Sequence, residues 1–116
     1  MSGIFYQMDL LGSALHASEK GRQVVAGNIA NVNTPGYKTK RLECERLLEQ
    51  IQSGERDVAV QDLPIEEVEG LVDRVDGNNV SLEKEVAALK KNALVFQTFA
   101  HLLASKVSTM RNAISG

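Results

Sequence analysis

The sequence predicts an all-α, elongated chain in which a long N-terminal and a long C-terminal helix pair lengthwise, coiled-coil fashion, around a short middle helix and an irregular or short β connection. Three observations carry this expectation. Apolar residues near the C-terminal end step by alternating fours and threes through Leu82, Val86, Leu89, Ala93, Phe96, Ala100, Leu103, Val107, Met110 and Ile114, the spacing that keeps one helical stripe facing a partner. The N-terminal end repeats that spacing in weaker form. Finally, the composition is 43% hydrophobic but only 4% aromatic, with no Trp. A core of Leu, Val, Ile, Met and Ala favours helix packing over a sandwich.

Residues 1–116 read as one unit, because a chain of this length is short for two domains. The N-terminal helix is expected over residues 1–33. Its series runs Ile4, Met8, Leu11, Leu15, breaks at Ser18 and Arg22, and resumes at Val25, Ile29 and Val32. Burying Arg22 without a partner is costly, so that stretch should either be solvated or meet a carboxylate. Gly12, Gly21 and Gly27 each cost about 1 kcal/mol against Ala inside a helix, which makes this helix marginal alone. The middle segment spans residues 34–80. There Cys44, Leu47, Leu48 and Ile51 fall at i, i+3, i+4 and i+7 and predict a short amphipathic helix over 41–52, stopped by Ser53-Gly54, with Cys44 a small buried hydrophobe. Farther on, Val58 and Val60, then Leu71, Val72 and Val75, suggest short extended pieces around Pro64 and Gly70. The C-terminal helix is expected over 81–116, about 50 Å long at about 1.5 Å per residue. Ser81 suits its N-cap, Glu83 and Glu85 place negative charge at the positive end, and Arg111 sits near the other end. Helices of that length cannot fold into a compact globule, so they should pair and leave apolar surface for self-assembly or docking into a larger bundle.

The residues that could carry chemistry do not assemble into a site. Thirteen Lys and Arg against fifteen Asp and Glu give a formal net charge of -2, which offers no electrostatic footprint for nucleic acid. The single cysteine cannot close a disulfide or a zinc motif. Met1 to Leu15 lacks a basic leader ahead of an apolar run, so no Sec-type signal peptide is expected, and no stretch approaches a membrane span. Asp76-Gly77-Asn78-Asn79 fails as a calcium loop because Val72 and Arg74 stand where ligands would be required. Asn79-Val80-Ser81 and Ser81-Leu82-Glu83-Lys84 match a glycosylation sequon and a penicillin-binding motif by accident, the second without its companion element. His16 and His101 lack neighbouring ligands at metal spacing. Hence no catalytic residue, metal, cofactor or small-molecule substrate is expected; a hydrolase working through Cys44 or His101 would need a base beside it.

The informative strings are two. Ala26-Gly27-Asn28-Ile29-Ala30-Asn31-Val32-Asn33-Thr34-Pro35-Gly36-Tyr37-Lys38 ends a helix sharply: Thr34 before Pro35 is pushed out of the helical region, and Pro35-Gly36 predicts a type II turn with positive φ at Gly36. Asp76-Gly77-Asn78-Asn79, ahead of Val80-Ser81-Leu82, predicts a tight turn leading into the C-terminal helix, in which Gly-Asn and Asn-Asn tolerate positive φ.

The first string, with Asn28, Asn31, Thr34, Pro35, Gly36 and Tyr37 in place, closely resembles the N-terminal signature of the flagellar axial proteins of rod, hook and hook-filament junction. The second, Asp76 to Val86, resembles the stretch that opens the C-terminal helix in B-type proximal rod proteins, although an Asp is common there where Ser81 stands. The connecting region is short for that family. The resemblance implies a structural subunit of the bacterial flagellar basal body that stacks with itself and other rod subunits in the proximal rod and transmits torque across the periplasm. It implies neighbours in a rod-base adaptor and the inner-membrane ring or export gate, and export through the flagellar type III apparatus without a cleaved signal peptide. On this reading Asn28, Asn31, Thr34, Pro35, Gly36, Tyr37, Asp76, Gly77, Asn78 and Asn79 form an assembly motif. The helix seam is Met8, Leu11, Leu15, Val25 and Ile29 with Leu82, Val86, Leu89, Phe96, Leu103, Val107, Met110 and Ile114. The alternatives are a soluble coiled-coil adaptor binding a helical partner, which would have no use for residues 28–38, and the C-type proximal rod subunit.

Overall fold

The computed structural model describes residues 2–54 and 63–116. In chain order it contains α1 (Ser2–Ala30), β1 (Lys40–Leu42), α2 (Glu45–Gln52), β2 (Ile65–Glu67) and α3 (Leu82–Ser115). The two long helices dominate the shape. The molecule measures 64 × 26 × 17 Å with a radius of gyration of 17.6 Å, against about 13 Å for a compact chain of similar length. No described helix is long and apolar enough to cross a membrane.

Helix α1 stops where its sequence withdraws hydrogen-bond partners. The Asn31 side-chain amide folds back onto the Gly27 carbonyl at 2.8 Å, and the chain then turns through Thr34-Pro35-Gly36-Tyr37. That turn is type II in character: the Tyr37 N–H donates to the Thr34 carbonyl at 3.2 Å, and Gly36 holds φ 75°. At the other end of the middle segment, Ser81 caps α3 from an extended conformation and accepts a hydrogen bond from the Lys84 N–H.

Helices α1 and α3 run antiparallel. The end of α1 lies beside the start of α3, where Asn28 meets Glu85 at 3.1 Å. Farther along, Ser18 and Asn92 face each other and exchange two hydrogen bonds, Ser18 Oγ to Asn92 Oδ1 at 3.3 Å and Asn92 Nδ2 to the Ser18 carbonyl at 3.0 Å. Ser18 is therefore buried but paired, a polar contact that fixes the register of two otherwise apolar surfaces. Arg22 resolves differently, pointing to solvent and pairing with Glu19 one turn back.

The middle segment departs from expectation. Arg41 and Leu42 belong to a strand, so the short helix starts at Glu45 rather than at residue 41. The cause is competition for backbone partners. In the antiparallel register Lys40↔Glu67, Arg41↔Glu66, Leu42↔Ile65, Glu43 N–H reaches the Pro64 carbonyl and Val68 N–H the Thr39 carbonyl, both at 2.9 Å. Those ladder bonds outweigh a helical preference spread over two residues. Of the extended pieces anticipated after residue 57, Val58 and Val60 lie outside the described residues, whereas Leu71, Val72 and Val75 form no strand and Val72 and Val75 are fully solvated. Cys44 is exposed instead of buried; the small cluster beneath α2 consists of Ala17, Leu47 and Leu63, with Leu42 against it. Partial desolvation still pushes the Cys44 thiol above its ordinary pKa.

Candidate functional site

The two strings singled out from the sequence meet in space and build a polar joint at the closed end of the helix pair. Its centre is Asn28, on the last turns of α1 and fully buried. The Asn28 side-chain amide donates to the Lys40 carbonyl at 2.8 Å and accepts from the Lys40 N–H at 3.0 Å. That two-point pairing satisfies the face of β1 turned away from β2, as a neighbouring strand would. The same amide donates to Glu85 Oε2 at 3.1 Å and accepts from the Tyr37 hydroxyl at 3.0 Å.

Glu85 reaches this point from the first turn of α3, and its side chain is 1% exposed. Arg41, on β1, grips its carboxylate with both terminal nitrogens, Nη2 to Oε1 at 2.8 Å and Nη1 to Oε2 at 2.9 Å. A bidentate guanidinium is the geometry that best compensates a buried carboxylate. Burial first, and the Glu85 charge second, push the Tyr37 phenol above its ordinary pKa.

Around this centre the second string closes the joint. Asn78 is fully buried. Its Nδ2 donates to the carbonyls of Asn31 and Thr34 at 2.9 and 2.8 Å, a second hydrogen bond for each of these acceptors just beyond α1. Asn79 Oδ1 accepts from both the N–H and the hydroxyl of the buried Thr39, at 2.7 and 2.9 Å. The tight turn is present, but no described residue other than glycine has positive φ; Asn78 and Asn79 serve as hydrogen-bonding side chains, not as left-handed turn residues. Gly77 alone supplies the special backbone, at φ 84°. It also lies flat against the other turn, where a Cβ would stand 3.4 Å from the Gly36 Cα, while Gly36 N–H donates to the Asp76 carbonyl at 2.9 Å. Asp76 Oδ1 accepts from the Asn78 N–H at 3.0 Å. Thr34 bonds Asn31 through its hydroxyl at 3.0 Å, and Pro35 stays exposed at the apex. Lys38 bridges Asp73 and the Gly77 carbonyl at 2.7 and 2.6 Å, and Arg74 reaches the Val32 carbonyl.

The helix faces turn slightly from the expected seam. An open apolar groove of about 600 Å³ lies between the helices, lined from α1 by Leu10, Leu11, Ala14, Ala17, Gly21 and Val25 and from α3 by Ala88, Asn92, Val95 and Phe99. Of the seam residues, Leu11 and Val25 line the groove, and Met8, Leu15, Ile29, Leu89, Leu103, Val107 and Met110 are half-buried. Leu82, Val86, Phe96 and Ile114 are exposed, Leu82 at 50% and Ile114 at 70%. The anchoring of Glu85 sets the rotation: with that side chain turned inward, positions three, seven and ten residues later face α1, and Leu82, Val86 and Phe96 are carried to one side.

Sequence reasoning did not find Thr39, Arg41 or Glu85, or the Ser18–Asn92 pair. Glu85 flanks the apolar stripe, four residues before Leu89, and an acid in that position is the available signal; Arg41 and Thr39 give none. Among the described residues no group of His, Cys, Asp and Glu is placed to hold a metal.

An elongated helix pair closed by a structural polar joint is the anatomy of an assembly subunit, and the family comparison agrees: the family described as Flagella basal body rod protein matches residues 8–38, the stretch that contributes Asn28 and the Pro35-Gly36 turn. Relatives extend over nearly the whole chain. The flagellar basal body rod protein FlgB of Aeromonas hydrophila is 31% identical over 89% of this chain and 88% of its own length. Those of Bacillus subtilis and Aquifex aeolicus are each 27% identical, over 91% and 97% of this chain and 91% and 96% of their own lengths. The chain belongs to the FlgB family of flagellar basal body rod proteins.

Proposed function

We propose that this chain is a structural subunit of the bacterial flagellar basal-body rod, in its proximal part, where it stacks with copies of itself and with other axial proteins to carry torque across the periplasm. Membership in a family of structural rod proteins is the observation that carries this reading. The geometry supports it. One side of α3 presents Leu82, Val86 and Phe96 to solvent, and the groove beside it is open and apolar, surface that a neighbouring helix would cover. The polar joint sets the angle between that shaft and the middle segment, so that load entering one passes to the other through buried hydrogen bonds.

In this reading the neighbours are other rod subunits, a rod-base adaptor and the inner-membrane ring or export gate, and the chain reaches them through the flagellar export apparatus with no leader removed. Torque transmission calls for many distributed contacts and for no catalytic group, so the subunit is not an enzyme and takes no cofactor, small molecule or nucleic acid. The deciding experiment is fractionation of basal bodies from cells carrying a tagged chain. Co-purification with the rod and membrane ring, together with restored motility in a deletion strain, is the expected result; a chain that stays in the cytoplasm while cells swim without it defeats the proposal.

A further inference from the structure

The strongest unexplained feature is the burial of a carboxylate in the first turn of a helix that could have kept it in water. In the ion pairs Glu19–Arg22, Lys38–Asp73 and Arg74–Asp76 the acid is 40 to 54% exposed, whereas the Glu85 side chain is 1% exposed beneath an Arg41 that is itself 38% exposed. Its charge partner comes from outside both long helices. Arg41 belongs to β1, and the Asn28 amide that supplies the third hydrogen bond is itself held in orientation by the N–H and carbonyl of Lys40, also on β1. Without β1, the approach of α3 to α1 would bury a charge against a single unoriented amide.

We propose that Glu85 is a folding latch, making the docking of α3 on α1 conditional on the prior or concurrent formation of β1. A buried ion deprived of its partner costs far more than a neutral side chain in the same place. The apolar stripes alone would let the two helices pair whatever the state of the middle segment. Glu85 forbids that half-built state, so the shaft and its joint form together or not at all. The device is a coincidence requirement: the guanidinium, the amide and the carboxylate come from three elements, and only the complete set is tolerated.

Hydrogen exchange on the full-length chain tests this, reading amides 88–95 of α3 in four proteins: the natural chain, Arg41→Ala, Glu85→Gln and the double variant. Arg41→Ala should raise the exchange rates of those amides on the order of 100-fold or more, although they lie beyond Glu85 along α3. In the Glu85→Gln background the same Arg41→Ala change should alter them by less than about tenfold, because no buried charge remains to be satisfied. Two results would overturn the latch. If Arg41→Ala loosens β1 but leaves α3 protected, the carboxylate tolerates isolation. If α3 loses protection equally in both backgrounds, or the double variant fails to fold, β1 supports α3 by packing and the charge is incidental.

Discussion

Replacing Asn28 with Ala should destabilise the free subunit by a sizeable share of its total stability. The side chain is fully buried and engages four groups: the Lys40 carbonyl at 2.8 Å, the Lys40 N–H at 3.0 Å, the Tyr37 hydroxyl at 3.0 Å and Glu85 Oε2 at 3.1 Å. Ala supplies none of these; Glu85 Oε2 and the Lys40 carbonyl keep Arg41 Nη1 at 2.9 Å, whereas the Lys40 N–H and the Tyr37 hydroxyl lose their acceptor. At about 1 to 1.5 kcal/mol for each of these two groups, the loss is about 2 to 3 kcal/mol. Small domains hold only about 5 to 15 kcal/mol of stability in total. The assay is urea unfolding followed by circular dichroism at 222 nm, with Asn28→Asp as a second variant. The aspartate keeps the acceptor for Tyr37 and Lys40 N–H but sets a carboxylate beside Glu85, so it should not rescue. A midpoint shift equivalent to less than about 1 kcal/mol for Asn28→Ala would mean that the joint is held by its surroundings and not by this side chain.

Four further outcomes are expected. Leu103→Asp places a charge on the half-buried side of α3 and should block incorporation into basal bodies; normal incorporation counts against that face as an assembly surface. Dilute subunit should be only partly helical, frayed at the helix ends remote from the joint, and should gain ellipticity on assembly, whereas full helicity with one cooperative melt in the monomer contradicts this. Gly77→Ala should destabilise by about 1 to 2 kcal/mol because the backbone there is left-handed, and a neutral or stabilising change in the urea midpoint refutes it. In a Tyr6→Phe background the remaining phenol, Tyr37, should titrate above its ordinary value of about 10 when followed by ultraviolet absorbance. The folded state then holds that proton more tightly than the unfolded state. Its contribution to stability is complete below pH about 10 and fades as pH rises through the folded value, so the urea midpoint should fall in alkali; a midpoint that rises there gives the wrong sign.

The long helices were legible because their signal is repeated many times. Ten apolar residues in phase from Leu82 to Ile114 leave little room for another structure, and Ser81 and the Pro35-Gly36 turn mark ends with chemistry that is local to the chain. Rotation about the helix axis was not legible to the same degree. It depends on Glu85, whose inward turn is decided by Arg41, a residue 44 positions away in sequence. The strand at Lys40–Leu42 was missed for a related reason: its Lys and Arg carry no β signal, and what makes it a strand is a side-chain amide from α1 and a partner, Ile65–Glu67, that is acidic and short. The two asparagine-rich strings could be marked separately as turns, but their contact, through Asn78 to Asn31 and Thr34 and through Gly77 to Gly36, is a property of the folded chain alone.

The Asn28 amide bound to Lys40 has a consequence for solubility. A two-stranded ribbon ordinarily offers two open rims on which another chain can template itself, and copies stored side by side in a filament would be well placed to do so. One rim here is stoppered from within by a side chain that cannot propagate the ladder. The other carries Glu66, Glu67 and Glu69, all exposed, so identical rims repel each other. In any side-by-side assembly of copies, those rims disfavour edge-to-edge pairing of the ribbons.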